Sequence, residues 1–209
     1  DGTFVSMAQE ATVIHRLEKE HGEGNTIIVN TGDLTFTQTH DQPGKDYFGP
    51  VAKALNAEGV DFITPGNHEF QHGGIALAND FLGDLDATVL LGNVKESSTG
   101  KPLEHTKPYA IKEINGVKVG FIGLTTPKQK THDHPNVGYD VTVESPGDTA
   151  ELLVKQAKSE GARIIVVLAH EGLGKSASLA KRIPGIDVVV AGHDHQITRE
   201  PQKVTNPDG

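Results

Sequence analysis

The chain has 209 residues, a formal net charge of −9, 35% hydrophobic and 22% charged residues, and no Cys. That balance suits one globular domain with a substantial core, and the missing Cys excludes disulfides and thiolate sites. The acidic excess argues against a nucleic-acid duplex or an anionic membrane surface as partner, and no apolar run approaches the roughly 20 residues that a membrane span needs.

Residues 2–21 predict a helix, with Phe4, Ala8, Ala11, Ile14 and Leu17 on one face and a stop at His21-Gly22. Residues 26–31 predict a buried strand that runs into Gly32-Asp33. An α/β unit normally feeds a strand into such a helix, and none precedes it here, so the chain is expected to start one element late. A polar loop over 34–46 leads to a predicted helix over 47–58, with Phe48, Val51, Ala52 and Leu55 at helical spacing. Residues 60–64 predict a strand that ends at Gly66-Asn67-His68-Glu69-Phe70, the stretch on which the rest of the pattern centres.

A helix over 75–82 and a strand over 87–91 follow, the latter running into Gly92-Asn93. Residues 109–114 and 117–124 flank Asn115-Gly116, the strongest short hairpin signal. Residues 125–146 predict a long loop, in which His132-Asp133-His134 reads as solvated rather than as an extra metal site. A helix over 147–160 turns Leu152, Leu153 and Ala157 inward and is capped by Gly161. Residues 164–169 predict a strand into His170-Glu171-Gly172, residues 176–182 a short helix stopped by Pro184-Gly185, and residues 187–191 a strand into Gly192-His193-Asp194-His195.

Besides the run into Gly92-Asn93, four apolar runs therefore end in a small residue followed by Asp, Asn or His, at Asp33, Asn67, His170 and His193. Strand ends of this kind are where open α/β sheets bind ligands. A Gly such as Gly66 lets the backbone come close to a ligand, Asn67 offers a carbonyl oxygen to a metal, and His68 can move a proton near neutral pH. One His at an apolar strand end is more often structural than ligating; a repeated arrangement of them is hard to explain as packing.

The ordered set Gly32-Asp33, Gly66-Asn67-His68-Glu69, His170 and Gly192-His193-Asp194-His195 resembles the calcineurin-like metallophosphoesterases. Within them it is most similar to the branch of 5′-nucleotidases, 2′,3′-cyclic phosphodiesterases and UDP-sugar hydrolases, which residues 120–127 also resemble. The resemblance spans nearly the whole chain. It implies an α/β/β/α sandwich of mixed sheets flanked by helices, as one domain over residues 1–209 that is incomplete at both ends. It also implies two divalent metal ions (Mn, Zn or Fe), whose charge would reconcile an acidic chain with a phosphate substrate.

Residue by residue, the resemblance makes Asp33 the carboxylate that bridges both metals, and Asn67, His170 and His193 ligands of one of them. His195 matches a ligand of the other. His68 matches the catalytic histidine that stabilises the transition state and protonates the leaving group. Asn67, His68 and Asn93 are the expected substrate contacts, and Glu69 a supporting partner or cap. Two departures stand out. The family's first strand ends in an Asp-x-His that supplies two ligands, and no such motif precedes Gly32-Asp33, so the first metal site is expected to be incomplete and this chain to hold one metal well and the other poorly. Where the branch often has an Asp orienting the histidine, this chain has Gln71.

The implied activity is metal-dependent hydrolysis of a small-molecule phosphoester, with a nucleotide as the leading substrate. The C-terminal substrate-binding domain usual in the branch has no match in these residues. Two alternatives stay open: a trimmed or degenerate metal-binding domain without turnover, and a relative of the thiosulfohydrolases. Family members are commonly exported, which makes a periplasmic or extracellular location the expectation.

Overall fold

A computed structural model describes residues 7–22, 24–35, 48–127 and 140–208, with the His72 side chain set aside. The predicted polar loop after Thr35 and the His132-Asp133-His134 segment lie outside the described residues.

The architecture follows from strict alternation along the longest strand, β7 (Val117–Thr125). Successive side chains of a strand point to opposite faces. Val119 and Phe121 turn toward a second sheet, while Ile122 and Leu124 turn toward helices. Gly123 sits where the two sheets come closest: a Cβ there would lie 2.2 Å from the Leu90 carbonyl oxygen. Asn115 and Gly116, both at positive φ (50° and 76°), close the hairpin between β7 and β6 (Tyr109–Ile114), as the sequence predicts.

β7 also pairs in parallel with β9 (Ile164–His170), which pairs with β10 (Val188–Ala191), giving a mixed sheet in the order β10-β9-β7-β6. The other sheet is wholly parallel, in the order β1-β2-β3-β5, built from β1 (Val29–Asn30), β2 (Phe62–Ile63), β3 (Thr88–Leu90) and β5 (Thr106–Lys107).

Phe62, Leu90, Val119, Phe121 and Leu168 fill the space between the sheets, with Phe62 and Phe121 stacked at 4.3 Å. Outside the parallel sheet, α2 (Phe48–Glu58) and α3 (Gly74–Asp80) bury Ala52, Leu55, Leu77 and Ala78 with Ile63 and Val89. Outside the mixed sheet, α4 (Pro146–Ser159) and α5 (Leu173–Arg182) bury Ala150, Leu153, Val154, Ala157 and Leu179 with Ile165 and Val167. Helix, sheet, sheet and helix layers thus form the expected α/β/β/α sandwich of mixed sheets.

Several expectations are corrected. α1 (Met7–His21) forms but buries none of its described residues; Ala11 and Ile14 are half-covered, while Ala8 and Leu17 are exposed. Helical periodicity reports an apolar stripe, not what covers it. Leu152 on α4 is exposed, because Leu153, Val154 and Ala157 already occupy the face toward β7. α3 ends at Asp80, and a separate 3-10 turn spans Leu82–Asp84. α5 starts at Leu173, ahead of the predicted 176.

Within the predicted 125–146 loop, β8 (Val141–Val143) pairs antiparallel with β4 (Val94–Glu96). Neither strand was expected, since three residues carry too little alternation to read. No helix among the described residues is long and apolar enough to cross a membrane.

Candidate functional site

The chemistry-bearing residues gather where β1, β2, β9 and β10 end. His170 is the last residue of β9 and is 1% exposed. Its Nδ1–H donates to the Thr31 carbonyl at 2.5 Å, which leaves the Nε2 lone pair facing the site. Around that nitrogen stand Asp33 Oδ2 at 2.9 Å, Asn67 Oδ1 at 3.2 Å and His193 Nδ1 at 3.2 Å. The ligand atoms of Asp33, His170 and His193 all lie within 4.8 Å of one another.

Gly66 makes this convergence sterically feasible. A Cβ on it would lie 2.3 Å from Asp33 Oδ1 and 2.5 Å from His170 Cε1. Asp33, His193 and His195 all adopt positive φ (60°, 97° and 54°), a conformation that costs L-residues free energy and recurs at functional sites.

The electrostatics are those of an electron-rich cluster. Burial alone would raise the Asp33 carboxyl, but the His170 hydrogen bond and charge, with the His68 backbone N–H, hold it below its ordinary value. Burial would lower His170, yet the Asp33 hydrogen bond and charge, the Thr31 carbonyl and the Glu69 charge raise it overall. Burial and the His170 charge push His193 down. A proton on His170 Nε2 can satisfy one neighbour, whereas a cation can satisfy the carboxylate oxygen, the amide oxygen and both imidazole nitrogens together. That donor set fits a divalent transition metal.

Next to the group, the His68 backbone N–H donates to Asp33 Oδ1 at 3.0 Å. Gln71 Nε2 lies 2.6 Å from His68 Nδ1. With the amide donating, the ring proton sits on Nε2, so Gln71 orients the imidazole without lending it the charge an Asp would bring.

Two expected site residues fall elsewhere. His195 is exposed and is not one of the clustered ligands. Asn93 is fully buried, and its side chain is spent on backbone: Nδ2 donates to the Thr125 and Glu144 carbonyls, and Oδ1 accepts from the Thr125 N–H at 2.9 Å. The expected substrate contact is a structural tether joining the ends of β3, β7 and β8. Sequence reasoning also missed Thr31 and Asp194. Thr31 acts through its main-chain carbonyl, which leaves no sequence signal. Asp194 accepts the Leu173 N–H at 2.8 Å and ties the His193 loop to the start of α5, a partner 21 residues away.

Over residues 7–197 the chain matches the calcineurin-like phosphoesterase family, and it belongs to that family. It is 30% identical to a probable 5′-nucleotidase of Treponema pallidum, over 90% of this chain and 31% of that protein. Its structure is similar to that of Haemophilus influenzae NAD nucleotidase, with a TM-score of 0.84 and 26% identity, over 98% of this chain and 42% of the other. A Thermus thermophilus sulfate thiohydrolase is also similar, with a TM-score of 0.79 and 25% identity, over 93% of this chain and 35% of the other. The chain spans about a third or less of the length of the curated relatives it matches.

Proposed function

We propose that this chain carries the metal centre of a 5′-nucleotidase-like phosphoester hydrolase. The observation that supports this most is the convergence of Asp33 Oδ2, Asn67 Oδ1 and His193 Nδ1 on the lone pair of His170 Nε2. Asp33, Asn67, His170 and His193 would hold one divalent cation (Mn, Zn or Fe). A second would have only Asp33 and the exposed His195 to draw on among the described residues, and would be held weakly. When bound, such a pair supplies charge neutralisation at the phosphoryl oxygens and activation of water.

His68, with its proton on Nε2, donates to the phosphoryl oxygen on which charge develops and then to the leaving oxygen. Gln71 holds the ring in that tautomer. Asn67 orients the phosphoryl group beside it. The substrate class is a nucleotide: a nucleoside 5′-monophosphate, a dinucleotide, a nucleotide sugar or a 2′,3′-cyclic nucleotide. The resemblance to exported enzymes supports work in the periplasm or outside the cell.

The test is turnover of AMP, NAD and a chromogenic phosphodiester by the purified chain with Mn²⁺, alongside its metal content. One tightly held metal per chain, with a second bound weakly, and a loss of rate of about 10²–10⁴-fold in His68→Ala are expected. An unchanged rate in His68→Ala refutes the role given to that residue. Metal binding with no turnover of any phosphoester leaves a binding module. Turnover confined to a sulfate thioester would point to the chemistry of the thiohydrolase relative.

A further inference from the structure

Glu69 is 2% exposed, yet its carboxylate is not among the clustered ligand atoms. It is spent instead on hydrogen bonds to neighbouring backbone. Oε2 accepts the backbone N–H of Asp33 at 2.8 Å and of Gly66 at 2.7 Å. Oε1 accepts the N–H of Leu34 at 2.6 Å, the N–H of Thr35 at 3.0 Å and the Thr35 hydroxyl at 3.1 Å. A buried carboxylate is tolerated only when its lone pairs are satisfied, and here main-chain donors from two separate loops satisfy them.

The engagement is mutual. Asp33 Oδ1 accepts the His68 N–H, so each loop sends a carboxylate into the backbone of the other. With Oδ1 committed there, Oδ2 is the oxygen that faces His170. Asp33 sits at φ 60°, a left-handed conformation that Asp enters more readily than most residues but still at a cost that Gly would not bear. In that conformation its N–H donates to Glu69 Oε2.

We propose that Glu69 is a positioning residue for the metal centre: its carboxylate gathers the Asp33–Thr35 and Gly66 backbones and thereby aims Asp33 at the cation. The inference rests on the metal-centre reading above. Glu69→Gln is nearly isosteric but keeps one acceptor oxygen. Its amide NH₂ would have to face either the Asp33 and Gly66 donors or the Leu34 and Thr35 donors.

The experiment is Mn²⁺ titration by calorimetry of the full chain and of Glu69→Gln, with thermal unfolding of both in the absence of metal. The variant is expected to stay folded and bind Mn²⁺ about 10–100-fold more weakly, the range for partners that orient metal ligands. A lower melting temperature with Mn²⁺ bound as tightly as by the parent overturns the proposal and leaves the metal reading intact. If the parent binds no Mn²⁺, the metal reading falls and takes this inference with it. Should Glu69→Gln not fold, amide exchange on the parent decides. The Asp33, Leu34 and Gly66 amides are expected to exchange as slowly as those of β7 and β9, and fast exchange at these loop amides overturns the clamp.

Discussion

The two sheets of this sandwich are held by different means. The mixed sheet has strands of six, nine and seven residues in β6, β7 and β9, so a long backbone ladder holds it together under its helices. The parallel sheet has strands of two or three residues, and side chains take over part of the work of the ladder. Asp61 accepts the Ile28 N–H while pairing with Lys112 of the other sheet, Asn30 accepts the Gly32 N–H, and Glu69 collects the donors beyond β1. Apolar burial is non-directional and carries stability; hydrogen bonds to a carboxylate are directional and carry position. Both halves bury an apolar layer under their helices, and the half that supplies Asp33 and Asn67 adds directional hydrogen bonds that place its loops.

That contrast can be broken from either side. The largest expected effect is on stability, from Phe121→Ala. It removes a side chain stacked on Phe62 and should cost about 3–5 kcal/mol in urea unfolding. Mn²⁺ affinity of the folded fraction should not change. A coupled loss of affinity would show that the sheet–sheet layer also sets the site.

Gly66→Ala should do the reverse. Its Cβ meets Asp33 Oδ1 and His170 Cε1, so overpacking should cost about 1–3 kcal/mol while the groups forced aside are the proposed ligands. Mn²⁺ binding by calorimetry should suffer more than melting does. Metal affinity equal to the parent's would mean that these side chains are free to relax.

The smallest effect is on pH dependence. Metal must displace the proton that His170 holds more firmly than a free imidazole, so affinity should rise with pH by at most about tenfold per unit and flatten above the raised pKa. Without metal the sign is opposite for this group. Its folded-state pKa is raised, so its contribution to stability is complete below the ordinary value of about 6.5 and is lost as pH rises through the raised one. His193, whose pKa is lowered, works against this, its contribution being lost as pH falls. A Kd for Mn²⁺ that stays flat across the histidine range would show that no such proton is displaced.

Much of the design is local and therefore written in the order of residues. Apolar runs that stop at Gly32-Asp33, at Gly66-Asn67-His68, at His170 and at Gly192-His193 mark strand ends, and Asn115-Gly116 marks a hairpin. Alternation, turn chemistry and donor type need only near neighbours to act. The outward face of Leu152, the pairing of β4 with β8 and the tethering of Asn93 to the backbone of Thr125 were decided by partners far along the chain or by which face was already filled. Glu69 shows the division most plainly. Its place after His68 is legible, but its work is set by donors at Asp33, Leu34 and Thr35, more than thirty residues away, that only the folded chain brings within reach.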